Sequence, residues 1–359
     1  MPPTKVIVLY GGKSTEHEVS VHSAQTVCRM LASQPEKYQI YPIFISKQGY
    51  WFLQEECGPQ TPKDLPVTPV IRPDALVQAL DGSFSIGADV VFPVVHGTNC
   101  EDGTLQGFLE TLNVPYVGCG VLTSAVGMDK ELTKLLAREA GLPVIPYQKI
   151  SKHIAYDKTA LENWVKDRLP VFVKPVRLGS SVGITKVTHV EQLELALKQA
   201  LQFDSEALVE QGIDHAREIF CAVYGDEEKL YTSACGELRT VAGEFFDYNA
   251  KYVVAGGCET QVPARIPPET EEAMRRDTHT LFRQLQGHGL ARVDFLMDPK
   301  TGGYYMSEIN TIPGMSETSL FPQLFEASGV NYALILDRLI EIARQEHAQK
   351  GQLSLSRQL

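Results

Sequence analysis

Apolar residues along this chain come in short continuous runs, separated by stretches where they recur every three or four positions. Val6 to Tyr10 is one such run and ends at Gly11-Gly12, as a buried parallel strand should. Ile40 to Ile45 and Val90 to Val95 repeat the pattern. Between them, Ser20 can cap a helix whose apolar face is Val21, Ala24, Val27, Cys28 and Leu31. Strands and helices alternating in this way predict an α/β fold that opens with a Rossmann-like, doubly wound parallel sheet. The Pro-rich stretch from Glu55 to Asp74 reads as surface loop or edge structure.

Further along, Ser124 can start a helix carrying Leu132, Leu135 and Leu136, stopped by Gly141 and Pro143. Val171 to Lys174 reads as a strand and Val176 to Ile184 as a Gly/Ser-rich loop. Thr188-x-x-Glu191 has capping-box spacing before a helix that buries Leu193, Leu197, Ala200 and Leu201. Leu208 to Glu210 and Ile219 to Tyr224 are strand-like. Glu244 to Thr260 is polar, aromatic and Gly-containing, and reads as a long loop, a lid or a disordered segment. A helix from about Pro268 presents Met274, Leu281 and Leu285. Ala291 to Met297 and Tyr304 to Ile309 are strands joined by the turn residues Asp298 to Gly303. A last amphipathic helix covers about Tyr332 to Glu346, before a frayed tail from Gln349.

A length of 359 residues allows two or three domains. Hydrophobic residues at 43% and charged residues at 21% exclude disorder, collagen and coiled coil. The formal net charge of −11 argues against a nucleic-acid or anionic-membrane surface, while leaving room for a local basic pocket. No apolar run reaches the roughly 18 residues a membrane span needs, and the N-terminal run is too short for a signal-peptide core. The cysteines, 7 in all, are scattered and never spaced C-x-x-C. That pattern argues against a disulfide framework or a zinc site and for a reducing cytosol.

Five clusters could carry chemistry. On the C-terminal hairpin, Arg292 and Asp294 share one strand face, as do Glu308 and Asn310 on the next strand. Paired, they make an oxygen-rich patch beside a guanidinium, suited to Mg²⁺, or a solvated face with cross-strand ion pairs. Lys174 precedes Gly179-Ser180-Ser181-Val182-Gly183, a loop able to wrap phosphate oxygens, and Lys130 could add a second cation. The same loop could be an ordinary glycine-containing turn. Gly12-Lys13-Ser14 copies the end of a P-loop, but Ile7 stands where the first glycine belongs. Glu16 there suits an ammonium group, or simply the dipole of the following helix. His96-Gly97-x-x-x-Glu101-Asp102-Gly103 follows a strand's carboxyl end, where a ligand or a tight loop could use it. Tyr248-x-x-Lys251-Tyr252 lies in the long segment, where Lys251 could reach phosphate and Tyr252 could close a site.

In their order along nearly the whole chain, from about Val6 to about Leu339, these motifs resemble the D-alanine–D-alanine ligases of the ATP-grasp superfamily. The most specific are His96-Gly-x-x-x-Glu-Asp-Gly-Thr-Leu-Gln-Gly107, Gly179-Ser-Ser-Val-Gly183, and Arg292-x-Asp294 followed by Glu308-Ile-Asn-Thr-Ile-Pro-Gly314. The resemblance implies three α/β domains: 1–127 for the first D-alanine, 128–216 with the phosphate loop, and 217–359 with the lid and Mg site. It implies ATP-driven joining of two D-alanines through a D-alanyl phosphate, for peptidoglycan precursors, by a cytoplasmic homodimer that needs neither nucleic acid nor membrane. It also implies two Mg²⁺ ions, with Mn²⁺ able to stand in.

Residue by residue, the resemblance makes Glu16 the holder of the first D-alanine's ammonium and places His96 near its carboxyl. Lys130, Lys174, Ser181 and Lys251 match phosphate contacts, and Glu210 and Glu218 match adenine and ribose contacts. Ser180 links Glu16 to Tyr252. Arg292 and the Gly314 backbone N–H match the groups that stabilise the acyl phosphate and later oxyanion. Asp294, Glu308 and Asn310 match metal ligands. Ser319 and Leu320 match the second D-alanine's pocket. Tyr252 and Leu320 favour D-alanine over D-lactate or D-serine as acceptor. A non-catalytic ATP-grasp protein would be expected to lose Arg292 or one of the metal-ligand positions, and all are present. A Rossmann dehydrogenase is excluded because no G-x-G-x-x-G follows the first strand. Three features depart from the family pattern. Cys100 stands where glycine is usual, which would strain it if φ must be positive; Gln211 replaces lysine after Glu210; and the segment from Ser46 to Phe84 is long.

Overall fold

The computed structural model describes residues 2–72, 74–240 and 258–352. Tyr252 and Lys251 therefore lie outside the described residues, with most of the long polar segment.

The chain is mixed α/β with three sheets among the described residues. The first has seven strands in the order Ser85–Ile86, Ala75–Ala79, Leu65–Arg72, Trp51–Leu53, Tyr38–Ile45, Thr4–Gly11, Val90–Pro93. Only its last three strands are parallel; the others pair antiparallel. This corrects the expectation of a parallel N-terminal sheet. Parallel strands need a long crossover, usually a helix, and helix His17–Ala32 supplies one between Thr4–Gly11 and Tyr38–Ile45. After Ile45 the chain instead reverses in a tight turn, where Gly49 takes φ +92° and Ser46 N–H bonds Tyr50 O. Successive hairpins then build the antiparallel edge, and within the stretch read as loop or edge structure Leu65–Arg72 is an edge-side strand.

The second sheet has four antiparallel strands, ordered Thr185–Val187, Val171–Pro175, Glu206–Gln211, Tyr147–Ser151. The third has five antiparallel strands, ordered Cys258–Gln261, Leu230–Thr240, Arg217–Gly225, Gly289–Met297, Tyr304–Asn310. One core joins the first and third sheets: Val8, Tyr10 and Leu31 share it with Tyr224, Phe325, Leu336 and Leu339. Helix Tyr332–Gly351 supplies its wedge. A second core lies behind the third sheet, where helix Pro268–Gln284 buries Met274, Leu281 and Phe282.

Other local readings shift. Helix His17–Ala32 begins before Ser20, with Glu16 at its N-cap position. Ser20 is fully buried and ties two strand ends, accepting from Gly11 N–H and donating to Val94 O. The single helix expected from Ser124 is two, Val121–Met128 and Lys130–Glu139, divided at Asp129, whose carboxylate caps the second by accepting from Leu132 N–H. The capping box lies one residue late, with Gln192 bonding the backbone at His189. Cys28 and Cys57 form a disulfide, against the expectation of reduced thiols throughout. Among the described residues no helix is long and apolar enough to cross a membrane.

Candidate active site

A cleft of about 490 Å³ opens between the second and third sheets. Its lining mixes apolar side chains, among them Phe172, Ile184, Phe220 and Leu296, with Lys130, Lys174, Ser181, Glu210, Asp294 and Glu308. Such a lining suits a ligand that carries both a flat apolar ring and anionic groups. Glu218 also lines it.

Alternation along the third sheet puts the acids in the cleft. Val293, Phe295 and Ile309 are buried in the core behind, so Asp294 and Glu308 face forward. They are direct cross-strand partners, as are Arg292 and Asn310. Arg292 holds Asp294 through two parallel 2.7 Å bonds, the strong fork geometry. Lys130 Nζ lies 3.4 Å from Glu308, and Asn310 Oδ1 accepts from Ile312 N–H. The donors are all hard oxygens, as Mg²⁺ prefers. Among the described residues no group of three or more His, Cys, Asp or Glu side chains could hold a metal ion, and this patch offers two such acids beside Asn310.

The opposite wall carries a buried triad. Lys174 Nζ is 2.6 Å from Glu210 Oε1, and Lys134 Nζ is 2.8 Å from Glu210 Oε2. Burial alone would raise the Glu210 carboxyl, but the two ammoniums overcome it and hold its pKa at about 2. Burial also pushes the Lys134 pKa down, with Glu210 opposing. Glu210 thus contributes fixed negative charge to the wall at neutral pH.

The Gly/Ser loop links this cleft to Glu16. Ser181 faces the cleft, while Ser180 Oγ donates to Glu16 Oε1 at 2.5 Å. Both serines take left-handed backbone, φ 53° and 57°. That conformation costs an L residue about 1–2 kcal/mol and persists where surroundings impose it. Lys130 fixes the loop from below by donating to Leu178 O. Gly97 packs on the other side of Glu16, and a Cβ there would lie 2.9 Å from Glu16 Oε2. Cys100 escapes the strain feared for it, because Asn99 and Gly97 carry the positive φ instead.

His96 is enclosed rather than open to the cleft. Its Nδ1 lies 2.9 Å from Ile312 O, an acceptor only, so Nδ1 carries the proton. Its Nε2 then accepts from Ser23 Oγ, which in turn accepts from Met315 N–H. His96 thereby fixes the turn that holds Gly314. A Cβ on Gly314 would fall 2.8 Å from Ser319 Oγ. Ser319 is tied to Ser316, and Leu320 starts helix Leu320–Ala327 against the first core.

The model of the D-ala D-ala ligase C-terminus matches residues 136–341, and that of the N-terminus matches 5–119. The chain belongs to the D-alanine–D-alanine ligase family. It is 43% identical to the D-alanine–D-alanine ligase of Thermoanaerobacter sp. (strain X514), over 98% of this chain and 99% of that one. The solved D-alanine–D-alanine ligase of Coxiella burnetii superposes with a TM-score of 0.86 at 34% identity, covering 98% of this chain and 97% of the other. The VanG D-Ala:D-Ser ligase of Enterococcus faecalis superposes at 0.82 with 33% identity, covering 95% and 99%.

Some of this ligase's site was invisible in the sequence reading. Lys134 carries no motif of its own, although its spacing of four from Lys130 puts both on one helix face. Arg217 grips Glu237 in the cleft wall through two 2.8 Å bonds, with Arg239 at 3.0 Å. Arg177 anchors the Gly/Ser loop to Asp129, Asp204 and Glu206. Nothing in the local pattern marks these residues, because each partner is distant in sequence. One test follows from the loop geometry. Ser180→Ala should raise the D-alanine KM by roughly tenfold, the worth of one hydrogen bond to a charged group, with the ATP KM little changed; steady-state kinetics on both substrates decide it.

Proposed function

We propose that this ligase joins two D-alanines at the expense of ATP, in a three-domain ATP-grasp arrangement with boundaries near residues 127 and 216. The observation that carries the reading is the convergence of Lys130, Lys174 and Ser181 with Asp294 and Glu308 in one cleft, next to a loop that reaches Glu16. In the first step an oxygen of the D-alanine carboxylate attacks the γ-phosphorus, and the bond from phosphorus to the β-bridging oxygen breaks to release ADP. In the second, the amine of another D-alanine attacks the acyl carbon. The carbon–oxygen bond to phosphate breaks, phosphate departs, and the amine loses a proton.

The residues have matching tasks. Glu16 holds the first substrate's ammonium. Lys130, Lys174 and Ser181 hold phosphate oxygens, and Glu218 holds ribose. Arg292 and Gly314 N–H face the charge that develops at the acyl centre. Asp294, Glu308 and Asn310 would hold Mg²⁺, which neutralises phosphoryl charge when bound. Ser319 and Leu320 receive the acceptor's carboxylate and methyl. The test is ADP release with D-alanine as the sole amino acid, followed by mass identification of the product. D-alanyl-D-alanine is expected. ADP release that does not depend on D-alanine would overturn the reading, and a mixed product with D-serine or D-lactate would reassign the acceptor.

A further inference from the structure

We propose that Lys134 is a positioning residue for the nucleotide. By sharing the buried Glu210 carboxylate with Lys174, it leaves this wall of the cleft with net positive charge for phosphate. The proposal rests on the reading of the cleft as the ATP site.

Helix Lys130–Glu139 packs in an unusual sense. Its leucines at 132 and 135 are 44% and 43% exposed, whereas Lys134 is completely buried and Lys130 nearly so. Burying an ammonium is costly, and two lysines one turn apart repel. A helix selected for stability alone would turn the leucines inward. The lysines are instead each directed at an acid on a different sheet: Lys134 at Glu210 on Glu206–Gln211, and Lys130 at Glu308 on Tyr304–Asn310.

The charge count gives Lys134 its role. One carboxylate between two ammoniums carries a net charge of one positive unit. Without Lys134, Glu210 and Lys174 form a neutral pair, with Lys174 drawn to Glu210 alone. Lys134 also donates to Ser307 O at 3.1 Å. Ser307 precedes Glu308, so the same ammonium joins the strand carrying Glu210 to the strand carrying the metal-ligand positions.

Lys134→Met keeps an unbranched chain and removes the charge. Binding of the non-hydrolysable adenosine 5′-(β,γ-imido)triphosphate with Mg²⁺ is measured by calorimetry without D-alanine, beside steady-state kinetics. Loss of the wall's net positive charge is expected to weaken analogue binding about tenfold and to raise the ATP KM by about the same factor. The D-alanine KM is expected to stay within about twofold. Adding Glu210→Gln removes the acid as well and returns the wall to one positive charge, so the double variant is expected to recover to within about fivefold of the parent. It also serves as the decisive variant if Lys134→Met does not fold. A merely structural lysine would lower the melting temperature and kcat without this selective effect. Unchanged analogue affinity in folded Lys134→Met, or no recovery in the double variant, overturns the proposal alone. Failure of the parent to bind the analogue removes the ATP reading and the proposal with it.

Discussion

Glu308→Gln should leave the protein folded and lower ligation about a thousandfold, because a divalent cation's charge stabilisation is worth several kcal/mol and each 1.36 kcal/mol is tenfold in rate. The Glu308 side chain is 40% exposed, so the change disturbs no core. It faces Asp294 across the strand pair, at the centre of the oxygen patch. Gln keeps the shape and one oxygen but loses the anion that a hard cation requires. Circular dichroism should report an unchanged melt, and ADP release at saturating Mg²⁺ should report the loss. Parental turnover in the folded variant would remove Glu308 from the metal set.

Arg292→Met should lower kcat by about 10²–10³, the usual cost of removing one donor aimed at developing negative charge. The Arg292 guanidinium carbon lies 5.1 Å from the Phe220 ring centroid, and Asp294 fixes its fork. Arg292→Lys should not restore the rate, since an ammonium cannot reproduce two parallel bonds. Single-turnover measurement of ADP formation separates this effect from product release. A D-alanine KM that rises while kcat holds would assign Arg292 to binding alone.

The C-terminal hairpin was legible because its signals are local. Period-two burial at Val293, Phe295 and Ile309 sets the faces, and Asp298 to Gly303 sets the turn. The Gly/Ser loop was legible for the same reason. Sheet direction was not, because apolar runs specify a strand without specifying its neighbour's sense; the Gly49 turn decided it. Strand Leu230–Thr240 has no clear apolar pattern because small residues interrupt it. Gly236 lies close under helix Leu320–Ala327, where a Cβ would sit 2.7 Å from a Leu324 methyl. Lys134 was hidden because the leucines beside it looked like the buried face. Its burial is fixed by Glu210 and Ser307, far along the chain. The disulfide joins residues separated by 29 positions, a pairing that spacing cannot specify.

The most direct measurement is a co-crystal structure with Mg²⁺ and the imido analogue of ATP. The triphosphate should lie between Lys130 and Lys174 on one side and Asp294 and Glu308 on the other, with electron density for cations on those two acids. A nucleotide seated outside this cleft, or phosphates directed away from the acids, would contradict the assignment of the reaction to this place in the fold.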